Sequence, residues 1–163
     1  MPSRRALAFW GGLAASTAAL AWMQSVPHGD VLRLELFAPT REAAGRALAA
    51  WPLGRADDYV WRDFPYLATY WVPLAAAASW AGDRYGRRLQ AARWAPLAAA
   101  GLDAVENVLL LRQVAQAQRL GAAGYAAHGT AWLAPATAVV AWAKWLLVLA
   151  VAGYVVRAVF VRR

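Results

Sequence analysis

The sequence predicts an all-α protein: a four-helix transmembrane bundle, both termini cytoplasmic, with a short amphipathic helix in the first outer loop. Three observations carry that prediction. Hydrophobic residues make up 61% of the 163-residue chain and are collected in blocks rather than spread evenly, beyond what a soluble domain carries. Four of those blocks are long enough for a crossing of about 20 residues. Arginines gather at the block ends, where the positive-inside rule places them.

The spans are expected at about 6–26, 61–82, 94–115 and 132–157, in a single membrane domain covering 1–163. Ala6 to Gly29 and Phe64 to Gly82 hold no Asp, Glu, Lys or Arg, and Thr130 to Val156 holds only Lys144. Trp10, Trp22, Trp61, Trp80, Trp94 and Trp132 stand near block ends, as interfacial aromatics do. Ser3-Arg4-Arg5 ahead of an apolar run also fits a cleaved twin-arginine signal. The run is long for a signal core and no clean small-x-small site follows, so a retained span is expected.

Orientation follows from the arginines. Arg4 and Arg5 precede the first span, Arg84, Arg87, Arg88 and Arg93 fill the second loop, and Arg157, Arg162 and Arg163 close the chain. An even number of spans puts all three groups on one side, the cytoplasmic face of a bacterial inner membrane. There Arg84, Arg87 and Arg88 are candidates for binding lipid phosphates. The net charge of +8 therefore reads as topology, and no nucleic-acid motif accompanies it. Without cysteine the chain has no disulfide, thiolate nucleophile or Cys-bound metal.

The first outer loop has structure of its own. Leu32-Arg33-Leu34-Glu35-Leu36 alternates with period two and is expected to be a short extended segment. Thr40 then caps a helix with Glu42 in its first turn, and Ala44, Ala47, Leu48 and Trp51 follow at helical spacing. Pro52 and Gly54 end it. An apolar stripe of this kind suits a helix lying on the outer membrane surface, with a lid over an outward-facing cavity as the sharper alternative.

The third block is the informative one. Asp103, Glu106 and Asn107 stand at i, i+3 and i+4 and share one helix face. An ionisable group in a span costs roughly 2.5 kcal/mol or more and turns to the bundle interior or a cavity. Counting about 1.5 Å per residue from the inner interface, Asp103 comes to roughly 15 Å, and Glu106, Lys144 and Tyr70 to roughly 20 Å. Asp63 and Arg112 both come to roughly 29 Å. A purely structural reading pairs Glu106 with Lys144 and Asp63 with Arg112, with Tyr66, Tyr70 and Asn107 completing the hydrogen bonds. Asp103 has no basic partner at its level on this count. That makes Asp103 and Glu106 the candidate catalytic or ligand-binding acids, with Asn107, Tyr70, Tyr66 and Lys144 beside them. Two carboxylates and an amide are too few oxygens for a hard metal ion, and no histidine accompanies them as in a di-iron site. No metal or cofactor is expected. Gly11, Ala15 and Ala19, and Gly12 with Ser16, form small-residue ridges suited to helix packing in the bundle or a homodimer.

Several pieces together resemble a group of uncharacterised bacterial four-span membrane proteins. They are Leu34-Glu35-Leu36 leading to Pro39-Thr40-Arg41-Glu42, Ala49-Ala50-Trp51, Asp63-Phe64-Pro65-Tyr66 with Tyr70, and Asp103-Ala104-Val105-Glu106-Asn107. The resemblance covers about residues 34–110 and implies topology and a role for the acids, not an activity. Four-span sterol isomerases share only the architecture, because their histidine has no counterpart in these spans.

The expected function is a non-enzymatic multi-pass protein that binds a lipid or small amphipath, or a subunit of a membrane assembly. The alternatives are an intramembrane acid–base enzyme, with Asp103 or Glu106 as proton donor, and a small proton-coupled transporter. Expected partners are membrane lipids and a second copy or an assembly partner, without nucleic acid.

Overall fold

The computed structural model describes residues 3–85 and 94–160. Their regular structure is all helical, with no strand among the described residues. Six α-helices run in order: α1 (Arg4–Gln24), α2 (Val31–Leu36), α3 (Arg41–Leu48), α4 (Ala56–Tyr85), α5 (Ala95–His128) and α6 (Leu133–Phe160). A 3-10 turn at Leu53–Arg55 leads into α4.

Local chemistry sets the short helices. The Ser3 hydroxyl accepts from the Ala6 N–H and starts α1. Asp30 does the same for α2 through the Arg33 N–H, and Thr40 for α3 through the Ala43 N–H, at 2.9 and 3.2 Å. The segment expected to be extended is thus helical. Its alternating leucines mislead because a six-residue helix turns Leu34 inward (1% exposed) while Leu32 stays out (49%).

The packing has a core and an outlier. α4, α5 and α6 pack on one another, whereas α1 lies along α4. Gly12 makes that approach possible: a Cβ there would come within 2.8 Å of the Pro73 ring. Of the two small-residue ridges on α1, the one through Gly12 and Ser16 is used. Gly11 meets nothing within 4 Å. At one end Arg5 pairs with Asp83 and ties α1 to α4. At the other, which we call the cap end, α2, α3 and the 3-10 turn fold over the bundle.

The stripe on α3 is covered by protein rather than lying bare. Ala44 and Leu48 are fully buried, and Gly45 sits against the end of α5, where a Cβ would be 2.6 Å from the Ala126 Cβ and 2.9 Å from the Ala122 carbonyl. The α5 helix reaches this position because it breaks. Gly121 has φ +70° and ψ 161°, a conformation open essentially to glycine alone. Beyond it the chain, expected to be loop after residue 115, stays helical through Ala-rich sequence and folds back. The Tyr125 hydroxyl donates to Gln113, whose amide donates to Thr137 on α6, at 3.1 and 2.6 Å.

Along the helix shafts the polarity is inverted. Ala99, Asp103, Glu106, Leu110, Gln113 and Ala117 are buried at alternating spacings of four and three on α5, the seam of a packed bundle. Val105 and Val108 on the same helix are exposed. The six tryptophans near the expected span ends are all exposed as well. Two helices are long and apolar enough to cross a membrane, Arg4–Gln24 and Leu133–Ala158. The equally long α4 and α5 carry Asp and Arg side chains within their length. Arg87 and Arg88 lie outside the described residues, and Arg84 falls in the last turn of α4.

Candidate functional site

The buried seam of α5 delivers Asp103 and Glu106 to one cation. Lys144 Nζ lies 2.8 Å from Asp103 Oδ1 and 2.7 Å from Glu106 Oε2. Asp103 therefore has the basic partner that level counting denied it. The four-carbon lysine stem spans the turn between the two acids, a reach that Cα levels do not capture. A third carboxylate comes from the cap: Glu35 Oε2 is 3.8 Å from the same ammonium. α2 is held over this point by buried Leu34 and by the Trp142 indole, which donates to the Leu36 carbonyl at 3.3 Å. Burial, reinforced by the neighbouring Glu106 carboxyl, raises Glu35 above the ordinary carboxylate range.

Asp63 belongs to the same cluster by a different bond. It accepts from the Asn107 amide at 2.7 Å and makes no ion pair with Arg112. The helix explains the failed pairing. Arg112 is nine residues from Asp103, roughly 180° around α5 at 3.6 residues per turn, and it is exposed. The arginine next in sequence is also turned away. Arg62 stacks over the Trp22 ring at 4.7 Å and donates to the Trp22 carbonyl and the Ser25 hydroxyl on α1.

These groups line a cavity of about 450 Å³ between α1, α4, α5 and α6, within the usual range for ligand pockets. Glu35, Asp63, Tyr66, Asn107, Asp103 and Lys144 form its polar stretch below the cap. Toward the far end the walls become apolar: Phe9 and Leu13 on α1, Pro73, Leu74 and Ala77 on α4, Val148 on α6. Tyr66 and Tyr70 stack with centroids 5.3 Å apart, and the Trp145 ring lies 5.8 Å from Lys144 Nζ. Of the groups expected to complete the hydrogen bonding, Asn107 does so. The Tyr70 hydroxyl is buried without a hydrogen bond of ordinary geometry, as is Ser16 Oγ on the facing wall.

The structure thus brings Asp63, Tyr66, Tyr70, Asp103, Glu106, Asn107 and Lys144 to one place and leaves Arg112 out. Sequence reasoning missed Glu35. Its signal was available in Asp30, a capping residue directly before the Val31 run, which turns the segment helical and the glutamate inward. No protein-family model, curated protein or solved structure matches the chain.

Proposed function

We propose that the protein is a four-span membrane bundle that holds an amphipathic molecule in the cavity between α1, α4, α5 and α6. The observation that carries this reading is the cavity's own gradient. Charged groups sit under the cap, and beyond Ser16 and Tyr70 the walls toward the opposite end are apolar, inside helices whose outer faces are apolar. An amphipath matches both halves, with its head at the cluster and its chain along Phe9, Leu13 and Leu74. The topology reading is supported by Arg4, Arg5 and Val155 lining one recess, which puts the first and last long helices at the same end. With an even number of spans, both ends face the cytoplasm of a bacterial cell.

Binding is better supported than acid–base catalysis. Asp103 and Glu106 are both engaged by the Lys144 ammonium, at 2.8 and 2.7 Å, so either would have to leave that contact to exchange a proton with a bound substrate.

Native mass spectrometry with lipidomics tests the reading on protein extracted in a mild, uncharged detergent. A discrete amphipath should accompany the wild type and be lost in Ala77→Phe, which fills the apolar stretch. Wild-type protein that is folded, inserted and empty under all extraction conditions would defeat it.

A further inference from the structure

One acid lining the cavity has no counter-charge, and it points to what the head group is. Glu35, Asp103 and Glu106 lie within 4 Å of the Lys144 ammonium, whereas Asp63, which lines the cavity, makes no salt bridge among the described residues. Lys144 is already engaged by Asp103 and Glu106 within 2.8 Å. Asp63 has only the amide of Asn107, and the neighbouring guanidinium of Arg62 is committed to α1. A carboxylate removed from water without a counter-charge is costly and calls for a cation beside it.

The surroundings of Asp63 suit one kind of cation. The rings of Tyr59 and Tyr66 line the cavity with it, and aromatic faces attract alkylammonium groups. Deeper on the same walls stands a hydroxyl that lacks a partner. Ser16 is 7% exposed, its Oγ makes no hydrogen bond, and it lines the cavity. It can accept an N–H or O–H group placed next to the charge. A phosphate or carboxylate head finds the reverse: the cavity's ammonium is spent, and further negative charge meets Asp63.

We propose that the cavity selects amphipaths with an ammonium head, seated against Asp63 between the tyrosine rings, with the chain running along the apolar stretch. This rests on the amphipath reading above and narrows it to a chemical class. The ammonium can come from a simple long-chain amine or from the amino head of a phospholipid. The geometry favours the simple amine, because a lipid phosphate adds negative charge beside Asp63 while Lys144, the basic residue lining the cavity, is already engaged.

A competition in native mass spectrometry decides. Wild-type protein in dodecyl maltoside is offered hexadecylamine, hexadecanol, hexadecanoate and lysophosphatidylethanolamine in equal amounts. The amine adduct should exceed those of the alcohol and the acid by about tenfold, the worth of one charge-assisted hydrogen bond. The preference should vanish in Asp63→Asn and persist in Asp63→Glu, with circular dichroism showing both variants folded. Dominance of the lysophospholipid, lost in Asp63→Asn, supports the ammonium head and assigns it to a lipid. Equal retention of amine, alcohol and acid by the wild type overturns the head-group assignment and leaves amphipath binding standing. Retention of none of the four removes the amphipath reading itself.

Discussion

The cap end and the helix shafts follow opposite rules. In the cap, Leu34, Leu48, Trp51, Val60 and Tyr125 belong to one apolar core, and polar side chains close helix ends at the rim. In the shafts, Asp103, Glu106 and Lys144 are inside, while Val139 and Leu146 on α6 are 69% and 61% exposed. The cap buries its apolar side chains, as a fold in water does. The shafts turn apolar side chains outward and keep charge within, the pattern expected of the membrane bundle proposed above. Both belong to one chain of six helices, and under the membrane reading proposed above the boundary between them would mark a change of solvent along the helix axes.

The sharpest way to break the shaft is to remove its cation. Lys144→Met leaves Asp103 and Glu106 buried without a partner, and loss of one member of a buried ion cluster costs about 3–5 kcal/mol. Thermal unfolding in detergent should register it. Lys144→Met combined with Asp103→Asn and Glu106→Gln should recover most of the loss, because no stranded charge then remains. The cap breaks by the opposite chemistry. Leu48→Ala opens a void in a fully buried site and should cost about 2–5 kcal/mol without altering the shafts. Val139→Lys sharpens the contrast in solvent. In a bilayer a lysine at that exposed shaft position costs about 2.5–3.5 kcal/mol of insertion, read out by a glycosylation-based insertion assay. A water-facing site would accept it at no cost. The smallest effect belongs to the cap rim, where Thr40→Ala removes the α3 N-cap and should cost about 1 kcal/mol in the same melts.

How far the sequence could be read follows the same boundary. The four long helices were visible because long, mostly apolar runs are a strong signal. The acid face was visible because Asp103, Glu106 and Asn107 break such a run at helical spacing. Lys144 stood out as the one charge in its block, and its meeting with Glu106 followed from depth alone. What failed needed azimuth or tertiary context. Asp63 and Arg112 share a level but not a direction, because Arg112 points away from the α5 seam. The Leu32–Leu34–Leu36 alternation is as compatible with a short helix as with a strand, and burial of Leu34 decided it. The α3 stripe was expected on the membrane surface, yet it meets Ala122 and Ala126 after Gly121 reverses α5. The clue was Gly45, a weak helix former in mid-helix, retained because another backbone comes within reach.

The order of Lys144 along the chain has a consequence for how the protein is made. A ribosome delivers Glu35, Asp63, Asp103 and Glu106 before it delivers the one side chain that neutralises any of them. If α5 crosses a membrane as proposed above, it holds two acids that disfavour insertion until α6 is synthesised. A nascent chain stopped short of residue 144 would then carry Asp103 and Glu106 without the cation they contact in the finished protein.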